Sequence, residues 1–265
     1  MRRRAFIAGS TLTVAGSSGL AAPKRKVLYL SQSAGFKHGV VNRPAPDQLA
    51  LSEQVMVELG VKSGAFEVTC SQDAAKDITA DNLKQYDAVF FYTTGELPLD
   101  AAQKQALLDF IQNGKGFLGT HSATDTFYKW PEYGELIGGY FDGHPWHQKI
   151  TVKVEDPKFP GCQHLGASFE ITDEIYQYRN WDRSKTHVVM SVDNASIDLN
   201  KPGVKRADKD FGLAWAHHYG QGRMFYTALG HREEVWKDER FQTLVIEVVK
   251  WACDDTRFTV QAKVK

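Results

Sequence analysis

Apolar residues come in short dense runs separated by amphipathic stretches through the first half of the chain. KVLYLSQS, opening at Lys26, is a run suited to a strand buried on both faces of a parallel sheet. After the loop AGFKHGVVNRP, the segment PDQLALSEQVMVELGVKSG places Leu49, Val55, Met56 and Leu59 on one helical face. FEVTCSQ alternates as a second strand, and YDAVFFYTTG is a strongly apolar third. DAAQKQALLDFIQNGKG reads as an amphipathic helix stopped at Gly114, with GKGFLGTHS as the next strand. This strand–helix–strand alternation, through about residue 122, predicts a doubly wound parallel α/β sheet.

The second half is patterned differently. HQKITVKVED, ASFEITDEIYQYR and THVVMSVD are successive extended segments, expected to add strands or an antiparallel extension to the sheet. FGLAWAHHYGQGRMFYTALGH reads as two strands around a turn at Gly220–Gly222. ERFQTLVIEVVKWACDD closes the fold as an amphipathic helix, and the tail after Asp255 is expected to be dispensable. No repeat or linker marks a second domain, so one domain with a strand-rich insertion is expected.

Strand ends matter because open parallel sheets bind ligands at the rim where the carboxyl ends converge. His38 follows the first strand, His121 follows GFLGT, and His231 ends the late hairpin in YTALGH. Imidazoles ligate metals and titrate near neutrality, so their convergence predicts chemistry. His121 is a candidate general base or metal ligand, with His38 and His231 beside it. Glu233 or Glu234 is expected to orient His231. Glu174, in ITDEIYQY, is the best carboxylate, since alternation sends Glu174, Tyr176 and Tyr178 to one strand face. Asp125, His144, Trp146, Tyr178 and Glu96 are the expected substrate contacts. His38, His121 and His231 are the candidate ligands of one divalent ion, although the chain has no compact motif such as HExxH.

Composition narrows the class. Lys+Arg and Asp+Glu both total 32, so the net charge is zero and the basic footprint of a nucleic-acid binder is absent. MRRRAFIAGS, followed by a weakly apolar stretch to Leu20, reads as a twin-arginine export signal over residues 1–22. That stretch is too short to span a membrane, and a periplasmic or otherwise exported location is expected. Cys70, Cys162 and Cys253 form no Cys-x-x-Cys pair, which argues against a thiolate zinc site. Buried, inert thiols are expected.

The phrases GFKHG, GFLGTHSATDTFY, GGYFDGHPWH, DEIYQY and AWAHHYGQGRMFYTALGHREEVW together resemble the ThuA-like family, named for trehalose utilisation. The resemblance runs from Lys26 to Asp254. It implies a flavodoxin-like three-layer sandwich, a variant of the class I glutamine amidotransferase fold. Those enzymes carry a nucleophilic Cys on a tight strand-to-helix turn. Here the matching turn is Gly119-Thr120-His121-Ser122-Ala123, with no thiol, so glutaminase chemistry is not expected. The resemblance further implies sugar catabolism on a glycoside, in particular a 3-keto glycoside supplied by a partner sugar oxidoreductase. A histidine base would abstract the acidified proton, followed by elimination or hydration. The alternatives are a carbohydrate-binding module without turnover, and a glycosidase pairing Glu174 with Glu96.

Overall fold

A computed structural model describes residues 24–264. The export signal expected over residues 1–22 lies outside the described residues. Strands β1 (Arg25–Leu30), β2 (Phe66–Ser71), β3 (Ala88–Phe91) and β4 (Gly116–Thr120) pair in parallel in the order β2-β1-β3-β4. The last four residues of β1 and all of β3 and β4 are buried, as their unbroken apolar runs require. Helices α1 (Leu51–Ser63), α2 (Ala74–Asp77), α3 (Ala80–Leu83) and α4 (Ala101–Gln112) make the crossovers. Asp100 starts α4 with a reciprocal cap: its carboxylate accepts from Gln103 N at 2.8 Å, and Gln103 Oε1 accepts from Asp100 N at 3.0 Å.

The late hairpin then enters the sheet. After α5 (Pro131–Ile137) and the short β5 (Tyr140–Phe141) come β6 (Trp146–Val154), β7 (Ser168–Ile175), β8 (Tyr178–Arg179) and β9 (His187–Val192). The hairpin is β10 (Gly212–Tyr219) and β11 (Gly222–Thr227), followed by α6 (Glu233–Lys237) and α7 (Glu239–Ala252). β11 lies parallel to β4, which completes the flavodoxin-like order 2-1-3-4 plus a fifth parallel strand. Beyond β11 the sheet continues antiparallel as β10-β9-β6-β7. These are the added strands expected from the second half.

The C-terminal tail is a correction to the sequence reading. Val260 is buried, and His218 N donates to Ala262 O at 2.9 Å. β12 (Lys263–Val264) pairs in parallel with β10 at His218 and Tyr219, so the tail extends the sheet instead of hanging free. The three cysteines are free thiols; burial pushes Cys162 and Cys253 up to about 12, leaving them unreactive near neutrality.

Candidate metal centre

Three loops and the end of β7 deliver the site, and each is tied down by backbone chemistry. The loop after β1 is stitched to the end of β3: Ala34 N donates to Thr94 O at 2.8 Å, and Thr94 Oγ1 donates to Phe36 O at 2.8 Å. Its far end is held by the buried Glu53 of α1, which accepts from Arg43 Nε at 2.8 Å and Ser31 Oγ at 2.6 Å. Between these anchors His38 turns inward and is only 3% exposed. Its Nδ1 is buried without a hydrogen-bond partner. Burial foremost, with the neighbouring imidazoles adding to it, lowers its pKa to about 3, so the ring is neutral and ligand-competent.

His121 sits at the apex of the turn after β4, with φ of 45°. This left-handed conformation is unusual for a residue with a Cβ and aims the ring at the rim. The strain is held by Tyr226, whose hydroxyl donates to His121 O at 2.6 Å. Nδ1 of His121 lies 2.9 Å from Ala228 O, a carbonyl that can only accept. Nδ1 therefore carries the proton and Nε2 presents its lone pair to the site.

His231 follows Gly230, whose φ is 123°. Gly230 O accepts from Tyr92 Oη at 3.0 Å and Trp236 Nε1 at 2.9 Å, while its N–H donates to Asp173 at 2.7 Å. Arg232 N donates to the other Asp173 oxygen at 3.0 Å. Asp173 is in β7, formally the far edge of the sheet. The antiparallel extension thus curls back until the end of β7 meets the loop after β11. That curl brings Glu174 to the histidines.

The ligand-type atoms of His38, His121, Glu174 and His231 lie within 4.8 Å of one another. His121 Nε2 is 3.2 Å from His231 Nδ1 and 3.5 Å from Glu174 Oε2, and the last two are 3.3 Å apart. Metal–ligand bonds of about 2.0–2.2 Å at tetrahedral angles separate neighbouring donors by roughly 3.3 Å. Three of the four donors already have that spacing. The fourth, His38, brings an orphaned buried nitrogen. Three imidazoles and one carboxylate suit a divalent transition ion. Although burial raises it, the neighbouring His121 and His231 rings hold the Glu174 carboxyl well below its ordinary value. Burial works against a charged His231, but its bond to Glu174 wins and raises it.

The remaining sequence candidates divide. His144 is at the mouth, its Nδ1 3.3 Å from Glu174 Oε1 and its side chain 51% exposed. Asp125 ends the His121 turn and accepts from Tyr128 Oη at 2.5 Å; burial pushes its carboxyl up. Trp146 is fully buried, with Nε1 donating to Asp198 O at 3.0 Å. Alternation along β6 sends Trp146 away from the site and His147 toward it, where its ring lies 5.0 Å from that of His231. Tyr178 is also buried, its hydroxyl 3.2 Å from Tyr226 Oη. β7 stops at Ile175, so the expected alternation does not carry through to Tyr178. Glu96 is exposed and accepts from Lys129 N at 3.1 Å. Glu233 and Glu234 pair with Lys237 and Arg232, so neither orients His231; that task falls to Glu174 and Asp173. Tyr176, expected on the face of Glu174, reaches His121 Nε2 at 3.0 Å, while Asp173, directly before Glu174 in ITDEIYQY, is the residue missed as a site member.

A family model described as "Trehalose utilisation" matches residues 26–252. The chain belongs to the ThuA family. A putative ThuA-like protein from Bacteroides uniformis ATCC 8492 is similar at 22% identity with a TM-score of 0.71, covering 89% of this chain and 94% of its own. Another, from Parabacteroides merdae ATCC 43184, is 18% identical with a TM-score of 0.66, covering 90% and 94%. A β-galactosidase from Bacillus circulans sp. alkalophilus shares the fold over 86% of this chain but only 31% of its own, at 11% identity and a TM-score of 0.51. No curated protein matches the sequence. No helix among the described residues is long and apolar enough to cross a membrane.

Proposed function

We propose that this ThuA-family protein is a metal-dependent enzyme of sugar catabolism that acts on a glycoside bearing a ketone, by proton abstraction and elimination or hydration. The observation that carries the reading is the set of four donors within 4.8 Å, at the rim where this sheet type binds ligands. His38, His121, His231 and Glu174 would hold the ion. Bound there, it would polarise the ketone and make the neighbouring C–H acidic.

In this reading the base is His144 and not His121. His121 Nδ1 is committed to Ala228 O, and Nε2 belongs to the donor set, so this ring has no nitrogen left for a substrate proton. His144 is the half-exposed imidazole at the mouth, outside that set, and is assigned the base. It accepts the proton from the carbon between ketone and glycosidic carbon. The C–H electron pair moves into the carbonyl, then returns to form the alkene as the glycosidic C–O bond breaks; the leaving oxygen takes the proton back from His144, and water adds across the alkene. A partner oxidoreductase would supply the keto sugar, and the leader over residues 1–22 would carry the enzyme out of the cytoplasm.

The test is elemental analysis of the purified protein, followed by turnover of a 3-keto disaccharide with and without chelator. About one divalent ion per chain and chelator-sensitive product formation are expected. Protein that takes up no divalent ion, or turns the substrate over equally well in chelator, overturns the reading.

A further inference from the structure

The Tyr176 hydroxyl is 3.0 Å from His121 Nε2, the same nitrogen offered to the metal. Because His121 carries its proton on Nδ1, Tyr176 is the donor in this contact and Nε2 the acceptor. A lone pair has one use at a time. When Nε2 ligates a cation, the phenol loses its acceptor.

The phenol cannot turn to water instead. Tyr176 is only 2% exposed, and its ring is wedged between His121, with centroids 4.3 Å apart, and Phe141, also at 4.3 Å. The hydroxyl must stay beside the four donors, with its proton free for whatever enters.

We infer that Tyr176 is the hydrogen-bond donor to the substrate oxygen that enters beside His121, favouring a ligand whose oxygen gains negative charge. This rests on the metal-dependent reading above. An enolate or alkoxide oxygen fits that class, and a donor placed before reaction stabilises it without rearrangement.

The experiment uses Co²⁺ as the metal and azide as a small anionic probe, on the wild-type protein and Tyr176→Phe. Thermal unfolding establishes that the variant is folded, and Tyr176→Leu serves as the second variant if it is not. Wild type and Tyr176→Phe should bind Co²⁺ within about threefold of each other. Azide, followed by the visible Co²⁺ spectrum, should bind about tenfold more weakly to the variant, the loss of one hydrogen bond to a charged acceptor. Equal azide affinity overturns the assignment of Tyr176 while leaving the metal reading intact. A fall of more than tenfold in Co²⁺ affinity also overturns it, because the hydroxyl would then be supporting the cation. Wild-type protein that binds no Co²⁺ fails the metal reading itself, and this inference with it.

Discussion

Asp173 grips the backbone on both sides of His231, its two oxygens accepting the N–H groups of Gly230 at 2.7 Å and Arg232 at 3.0 Å. The carboxylate lies directly before Glu174 in sequence, so one strand end supplies both a candidate ligand and the clamp on another. Asp173→Asn turns one acceptor into an amide that faces a backbone donor. The variant should lose about 1–3 kcal/mol of stability and bind Zn²⁺ about 10–100-fold more weakly. Calorimetric metal titration beside thermal unfolding reads both. Unchanged zinc affinity with reduced stability would mean that the clamp serves only the fold.

Gly230 makes the same loop sensitive to a single methyl group. At φ of 123° a Cβ would lie 3.0 Å from Thr120 Oγ1, and Thr120 is already committed through its hydroxyl to Leu229 O at 2.7 Å. Gly230→Ala should therefore destabilise by more than about 1 kcal/mol and weaken metal binding by displacing His231. A variant with wild-type unfolding temperature and zinc affinity would show that the loop has slack.

Much of this architecture is legible in the sequence, for a physical reason. Strands buried on both faces leave unbroken apolar runs, so β1, β3 and β4 announce themselves, and each deposits its following loop on the same rim. His38, His121 and His231 are readable as neighbours from that rule alone. Glu174 is not placed by it. Its approach depends on how far β10-β9-β6-β7 curls, which is set by sheet twist and packing and not by any local pattern. Trp146 and Tyr178 mark the limit of alternation. Period two separates faces, but it does not say which face sees the cleft, and it lapses where β7 ends at Ile175. The tail after Asp255 has too little pattern to reveal that it joins the sheet.

A second buried histidine should add its own share to the acid response of the fold. His217, on β10, is fully buried, and burial lowers its pKa from 6.5 to about 4. Below pH 6.5 the unfolded chain takes up a proton that the folded chain refuses. Stability is therefore intact above that pH and falls as pH drops through about 4, by roughly 3 kcal/mol from this residue. Urea unfolding at intervals from pH 7 to 4 measures the slope. His217→Leu should make it shallower, and a slope unchanged in the variant would assign the acid sensitivity to other groups.

His38 separates a functional ring from a packing one. It is buried and its Nδ1 has no partner, which costs stability in the absence of a ligand. A residue retained for the fold would be better replaced by an apolar side chain of similar size. His38→Leu should therefore leave the metal-free protein as stable as wild type or more so by up to about 1 kcal/mol, since an orphaned polar atom is removed. The same variant should bind Zn²⁺ at least about tenfold more weakly, because one of four donors is gone. Stability and affinity then move in opposite directions, a pattern that a purely structural histidine does not produce. Loss of stability in metal-free protein with unchanged zinc binding would return His38 to the core and leave the centre with three donors.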